Sequence, residues 1–177
     1  MINIFKYFFR RFANRSNKSK VKWLRRQGMI IGEKTQLYNG ISNYGSEPFL
    51  IKIGNNCTIT YNVQFLTHDG GMRVIKNLGL HSNPDKFGQI IIGDNVFVGY
   101  GSIIMPNVII GDNVIIGAGS VVTKNVESNS VYCGVPAKKL YSIEDYFSKN
   151  KDNIDCTRGL PFKDKKRYLY TKYKLGE

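Results

Sequence analysis

The sequence predicts a one-domain, all-β solenoid of six-residue repeats with helical segments at both ends. An aliphatic residue recurs at every sixth position from Ile92 onward, and glycine, asparagine or aspartate follows it in most repeats. The apolar spacing of three and four that marks a helix does not occur in this region. The chain has 177 residues, 42% of them hydrophobic and 22% charged, which is ordinary for a globular domain and excludes bulk disorder.

The repeat is unbroken over six hexapeptides, from Ile92 to Glu127, and the first position is always Ile or Val. The fifth position always holds a small or medium-sized residue, in order Val96, Ser102, Val108, Val114, Ser120 and Val126. Each hexapeptide forms one short strand and one turn, where Gly, Asn and Asp tolerate positive φ. Three of them close a triangular coil with the first and fifth residues inside. Helix-linked parallel strands are excluded because the spacing leaves no room for helices.

The repeat is interrupted once, and the interruption predicts a functional site. The blocks that begin at Ile53 and Ile92 lie 39 residues apart, which is not a multiple of six. Residues 70–88 must therefore leave the coil as a loop, and long loops in compact domains often carry function. His68 stands where the loop departs. A histidine there is either an ordinary polar residue or a base, since the usual pKa of imidazole, about 6.5, suits proton removal at neutral pH.

Several segments resemble the polysaccharide and sugar O-acetyltransferases of the hexapeptide-repeat superfamily, which are related to maltose, galactoside and xenobiotic acetyltransferases. The matching segments are Gly45-Ser-Glu-Pro-Phe-Leu-Ile, Phe65-Leu-Thr-His-Asp-Gly-Gly, Ile92-Gly-Asp-Asn-Val-Phe-Val-Gly and Gly134-Val-Pro-Ala-Lys. The resemblance implies a left-handed parallel β-helix over residues 31–137, acetyl-CoA as co-substrate, and a homotrimer. It also implies that His68 is the general base for direct transfer of the acetyl group to a hydroxyl of a sugar or a surface polysaccharide of the O-antigen or capsule type.

The same resemblance assigns the remaining candidate site residues. Those expected to bind acetyl-CoA are Tyr100, Ala118, Thr123, Lys124 and Lys138. The two lysines are equally typical of a solvated surface when taken alone. Those expected near the acceptor are Asn43, Glu47 and Asp69, and Glu47 is also typical of a turn before Pro48.

The net charge of +13 lies in the two ends, residues 1–30 and 138–177. Residues 1–26 contain nine Lys or Arg and no acid, and the phenylalanines at 5, 8, 9 and 12 form one apolar helical stripe. The stripe predicts either a helix packed on the β-helix or peripheral membrane contact through residues 1–20. Nucleic-acid binding is not expected, because no recognition fold accompanies the basic residues. In the tail, helices are predicted from Ser142 and around Asp164–Tyr173, with Ser142 as N-cap.

Two further functions fit the repeat. The first is an N-acyltransferase for the amino sugar of a nucleotide-sugar, which needs the same base and donor. The second is a non-catalytic β-helix scaffold, which would favour an uninterrupted repeat. No metal is expected, since the chain has two histidines and three unpaired cysteines, and a zinc-dependent carbonic anhydrase of this fold needs three histidines. No secretory h-region follows the N-terminus, which predicts a cytoplasmic protein, at the inner face of the membrane if residues 1–20 bind lipid.

Overall fold

The computed structural model describes Asn14 and residues 16–175. The chain forms two compact units, one ending at Glu144 and the other beginning at Asp145. None of the described helices is long and apolar enough to cross a bilayer. The phenylalanine stripe at residues 5–12 lies outside the described residues, and membrane contact through residues 1–20 stays a prediction.

The first unit is a β-helix of short strands in three sheets. The strands are β1 (Ile30–Ile31), β2 (Gln36–Leu37), β3 (Ile51–Ile53), β4 (Thr58–Ile59), β5 (Gln64–Phe65), β6 (Ile90–Ile92), β7 (Phe97–Val98), β8 (Ile103–Ile104), β9 (Val108–Ile110), β10 (Val114–Ile116), β11 (Val121–Val122), β12 (Ser130–Cys133) and β13 (Lys138–Ser142). Sheet A contains β1, β3, β6 and β9; sheet B contains β2, β4, β7, β10, β12 and β13; sheet C contains β5, β8 and β11. Paired strands are parallel, except that β13 runs antiparallel to β12.

Equivalent repeat positions stack directly above one another inside the coil. The stacked first positions are Ile92 on Ile110, Val98 on Ile116, and Ile104 on Val122. All of these side chains are buried, and so are the fifth positions, including Ser102 and Ser120. The two serine hydroxyls donate to the carbonyls of Gly99 and Gly117, at 2.8 and 2.6 Å, so they are buried without losing a hydrogen bond. The predicted inward positions are therefore confirmed.

The corner between sheets A and B is held by a ladder of side-chain amides. Asn95 Nδ2 donates to Asn113 Oδ1 at 2.9 Å, and Asn113 Nδ2 donates to Asn129 Oδ1 at 2.8 Å. Each of these asparagines has positive φ, which Asn tolerates better than most residues. The turn residues thus stabilise the stack as well as turning the chain.

Neighbouring coils are so close together that some glycines of the repeat could not be replaced by a residue with a side chain without a clash. A Cβ on Gly99 would lie 2.5 Å from the backbone nitrogen of Ala118 and 2.8 Å from the carbonyl oxygen of Ile116. Both contacts are with backbone of the next coil, which cannot rotate away. We expect Gly99→Ala to lower the free energy of unfolding by about 2–3 kcal/mol. Gly70→Ala is the control, because a Cβ there meets nothing within 4 Å, and its effect should stay within about 0.5 kcal/mol in urea titrations. Equal stability of the two variants would contradict this coil spacing.

The N-terminal end of the β-helix is covered by helix α1 (Asn17–Arg26). Ser16 caps it, since its Oγ accepts from the backbone nitrogen of Ser19 at 3.1 Å. Leu24 is fully buried, and Lys20 is buried with its Nζ donating to the carbonyl of Asn39 at 3.0 Å. Burial lowers the pKa of the Lys20 ammonium group. Helix α1 therefore closes the core in place of another coil.

Two segments depart from the regular coil, and both lie close to His68. On the third side of the first coil, 3₁₀ turns at Ile41–Tyr44 and Pro48–Leu50 replace a strand of sheet C. The predicted loop at 70–88 contains a short helix, α2 (Met72–Asn77), which was not predicted. The ends of the loop are joined by backbone hydrogen bonds of 2.9 Å, from Asp69 N to the carbonyl of Lys86 and from Gly88 N to the carbonyl of Thr67.

The tail contains the predicted helices, α3 (Ile143–Asn150) and α4 (Phe162–Lys172). Within the second unit, the carboxylate of Asp155 accepts from Lys172 Nζ at 2.5 Å and from the Tyr168 hydroxyl at 2.7 Å. These contacts tie the segment between the two helices to α4. The two helices predicted in the C-terminal appendage are confirmed, but its first residues, Lys138–Ser142, form strand β13 instead of a helix.

Candidate active site

His68 is held at a corner of the β-helix, three residues after the end of β5 and before the excursion loop. Its side chain is 47% exposed, and its Nδ1 lies 3.0 Å from Oε2 of Glu47, whose side chain is 18% exposed. The Phe87 ring packs against it with an edge-on geometry, at a centroid distance of 6.2 Å. His68 and Phe87 also form an isolated antiparallel bridge, so the returning end of the loop fixes the backbone of His68.

Glu47 reaches His68 because the first coil is built without a strand on this side. Tyr44 stacks on Phe65 of β5, with ring centroids 5.0 Å apart, which anchors the 3₁₀ segment against the coil that carries His68. Gly45 then adopts a φ of +67°, and a Cβ there would lie 2.9 Å from Oγ1 of Thr67. Glycine at this position therefore permits both the turn and the close approach of the two coils.

A single oxygen of Glu47 receives two hydrogen bonds. Thr67 Oγ1 donates to Oε2 at 2.6 Å, and the same oxygen faces His68 Nδ1 at 3.0 Å. Partial burial alone raises the pKa of this carboxyl, but hydrogen bonds from Thr67, His68 and Ser46 outweigh burial and hold the pKa below its usual value. Glu47 is thus a carboxylate at neutral pH. A carboxylate at Nδ1 keeps the proton on that nitrogen and leaves Nε2 with a free lone pair.

The imidazole opens onto a cleft of about 580 Å³ between the 3₁₀ segment, the His68 corner and the excursion loop. The lining residues are Ser46, Glu47, His68, Asp69, Gly70, Met72, Arg73, Lys76, Asn77, Asn83, Pro84, Asp85, Lys86 and Phe87. The volume falls within the range of about 300–1,000 Å³ that small-molecule sites occupy. Most of this lining comes from the loop, so the interruption of the repeat builds the cleft.

The three residues predicted near the acceptor have different positions. Glu47 and Asp69 line the cleft, whereas the lining, taken over the described residues, does not include Asn43. The Asp69 carboxylate accepts from the backbone nitrogen of Gly71 at 2.9 Å and lies 3.5 Å from Lys86 Nζ. The Gly71 hydrogen bond, and then Lys86, hold the pKa of Asp69 below its usual value. Asp69 thus ties the two ends of the loop together, and Glu47 contacts the imidazole.

The residues predicted to bind acetyl-CoA lie at two different corners. Tyr100 and Ala118 lie in successive coils at the corner between sheets B and C. There, Gly119 N donates to the carbonyl of Tyr100 at 2.8 Å. Thr123 and Lys124 follow β11 at the corner between sheets C and A, as His68 follows β5. They are two coils from His68 along this corner, a distance of roughly 10 Å at the usual spacing of neighbouring strands.

Lys138 begins β13 at the C-terminal end of the β-helix. It is exposed, and it pairs with Cys133, which lies over Gly117 next to the corner of Ala118. In one chain, sheet C therefore separates Tyr100, Ala118 and Lys138 from the corner that holds His68.

Sequence reasoning missed two residues that shape the site. Thr67 is fully buried and holds Glu47 in place, and Gly45 makes room for it. The only sequence signal for Thr67 is its position directly before His68, in the last hexapeptide before the repeat is interrupted. The Gly45 signal was clearer, because a glycine three residues before proline, in a stretch without the hexapeptide pattern, indicates a turn.

Comparisons with known proteins agree with this fold. A model of the bacterial transferase hexapeptide (six repeats) matches residues 89–124. Protein CapG of Staphylococcus aureus is 47% identical over 152 residues, which cover 85% of this chain and 87% of CapG.

Two solved structures share the fold at lower identity. A maltose O-acetyltransferase from Clostridium difficile 630 is 27% identical with a TM-score of 0.54, over 77% of this chain and 83% of that one. A galactoside acetyltransferase in complex with coenzyme A is 26% identical with a TM-score of 0.53, over 80% of each chain. The chain therefore belongs to the hexapeptide-repeat acetyltransferase family, has the left-handed parallel β-helix of that family, and is an acyltransferase.

Proposed function

We propose that this protein transfers the acetyl group of acetyl-CoA to a hydroxyl of a sugar or surface polysaccharide, with His68 as the general base. The observation that carries the proposal is the 3.0 Å contact between His68 Nδ1 and the Glu47 carboxylate at the edge of an open cleft. Similarity to the maltose and galactoside enzymes supports a sugar acceptor, and the bound coenzyme A of the latter supports the donor.

The chemistry follows from the state of the imidazole. Nε2 takes the proton from the acceptor hydroxyl as its oxygen attacks the thioester carbonyl carbon. The imidazolium that forms is stabilised by Glu47, which is already ionised and is held by Thr67. The C–S bond of the tetrahedral intermediate then breaks, and the CoA thiolate takes the proton held by His68. The acetyl group passes directly to the acceptor, so no covalent enzyme intermediate is needed.

The donor site in this proposal comprises Tyr100, Ala118, Thr123, Lys124 and Lys138. Lys124 and Lys138 supply positive charge, and cations of this kind bind the phosphates of CoA. We expect calorimetry to show micromolar binding of acetyl-CoA by the full chain. Lys124→Ala and Lys138→Ala should each weaken it by about tenfold, as the loss of one charge-assisted contact predicts.

Lys52→Ala is the control for both lysine variants, because Lys52 is an exposed lysine on sheet A, away from both corners. It should leave the affinity unchanged. An absence of binding at millimolar acetyl-CoA would contradict the proposed donor.

We also propose that the enzyme is a homotrimer. The predicted donor residues lie on both sides of sheet C, and a neighbouring copy that places its Tyr100 corner beside the His68 corner would bring them together. Light scattering of the full chain should give about three times the protomer mass of 20.1 kDa. A mass of about 20 kDa would contradict this assembly.

A further inference from the structure

The cleft beside His68 contains three acidic and three basic side chains, of which only some are paired within the protein. Its acidic residues are Glu47, Asp69 and Asp85, and its basic residues are Arg73, Lys76 and Lys86. Glu47 is engaged by Thr67 and His68, and Asp69 is engaged by Gly71 and Lys86. The ion pairs within residues 16–175 include none of Arg73, Lys76 and Asp85. The cations Arg73 and Lys76 and the anion Asp85 therefore remain available to bind a ligand.

Arg73 and Lys76 are placed to act together. They are three residues apart on α2, so their side chains leave the same face of the helix and both line the cleft. Like charges one helical turn apart repel each other, and no described carboxylate forms an ion pair with either of them. An anion bound between them would remove this repulsion. The planar guanidinium group binds carboxylate and phosphate with two parallel hydrogen bonds, and an ammonium group adds a point charge.

We propose that the acceptor carries an anionic group, a carboxylate or a phosphate, and that Arg73 and Lys76 bind this group while the reactive hydroxyl lies at His68. The inference rests on the proposed function, because the same cleft must hold the acceptor. Asn77 and Asn83 line the remaining wall and are suited to sugar hydroxyls, since amides both donate and accept hydrogen bonds. A neutral sugar would leave the two cations without a partner.

The test uses the full-length protein and the reaction of His68 with diethyl pyrocarbonate, which modifies unprotonated imidazole. The chain has two histidines, and His81 is exposed and absent from the cleft lining, so it serves as an internal reference. The probes are D-galacturonate, D-galactose 1-phosphate and D-galactose, and peptide mass spectrometry follows each histidine. Galacturonate and the sugar phosphate distinguish a carboxylate from a phosphate as the preferred group.

We expect the preferred anionic probe to protect His68 at a concentration about tenfold lower than galactose, as one charge-assisted hydrogen bond predicts. The difference should disappear in the Arg73→Gln/Lys76→Gln variant and shrink at high salt in the unmodified protein. It should persist in Lys163→Gln/Lys165→Gln, which removes two exposed lysines of α4. In the absence of any probe, His68 must react at the same rate in the unmodified protein and in both double variants. Equal rates show that the cleft is intact.

The inference would be overturned if galactose and both anionic probes protected His68 equally. It would also be overturned if no probe protected His68. An unchanged difference in Arg73→Gln/Lys76→Gln would also overturn it. None of these results would affect the proposed acetyl transfer, which is tested independently by acetyl-CoA binding and by the product. Conversely, the protein could fail to bind acetyl-CoA and still show stronger protection of His68 by an anionic probe than by galactose. That result would contradict the proposed function and support a site for an anionic sugar.

Discussion

Replacing His68 with Asn is expected to lower kcat for acetyl transfer by about a thousandfold, because the hydroxyl would lose the base that removes its proton. The amide of Asn can still accept a hydrogen bond, but it cannot take up a proton at neutral pH. Steady-state release of the CoA thiol measures the rate. The calorimetric affinity for acetyl-CoA should not change, since His68 acts on the acceptor.

His81→Asn is the matched control for this variant. His81 lies in the same excursion loop and is exposed, but it does not line the cleft, so its replacement should leave kcat within about twofold. A His68→Asn enzyme that keeps a tenth or more of the original rate would contradict the assignment of the base.

Replacing Glu47 with Gln is expected to lower kcat by about a hundredfold while the fold remains. The amide can still occupy the space beside Thr67, but it carries no charge to stabilise the imidazolium that forms during proton transfer. It can also present its NH₂ group to Nδ1, which favours the wrong tautomer. Glu33→Gln is the control, because Glu33 is an exposed glutamate paired with Arg25 at the corner between sheets A and B, whereas His68 lies at the corner between sheets C and A.

Comparing the original protein with Glu47→Gln also predicts how the contribution of Glu47 to stability changes with pH. Burial opposes ionisation of Glu47, but the hydrogen bonds to the carboxylate outweigh it and lower its folded-state pKa below the usual 4.5. A group with a lowered folded-state pKa stabilises the protein above its unfolded pKa, and this contribution is lost as the pH falls through the folded value. The free-energy difference between the original protein and Glu47→Gln, measured by urea unfolding, should therefore shrink on acidification below about pH 4.5. A difference that grows in acid would contradict the ionised state of Glu47.

The fold could be predicted from the sequence because the first and fifth positions of each hexapeptide point into the core at every coil. Ile92, Val96 and their equivalents six residues apart are all buried, so periodicity alone located the core. Helix α2 was missed because six residues are too few to show helical periodicity, and the two glycines before it indicated a loop.

The candidate site was predictable only in part. His68 stood out since the repeat breaks beside it. Its partner was less certain, because Glu47 lies in a non-repetitive segment of another coil and reaches His68 only through the Gly45 turn and the stacking of Tyr44 on Phe65. The basic pair Arg73 and Lys76 gave no signal in the sequence, since two cations in a loop are usually solvated. Only the folding of α2 over the cleft brings them to the His68 side.

Transfer to a hydroxyl by His68 is tested by identifying the product made from acetyl-CoA labelled with ¹³C at the carbonyl carbon. The full chain is incubated with a pool of neutral, acidic and amino sugars, and ¹³C NMR distinguishes an acetyl ester from an acetyl amide. We expect an ester that forms with the original enzyme and not with His68→Asn. An amide product, or an ester that forms equally with His68→Asn, would contradict a hydroxyl acceptor activated by His68.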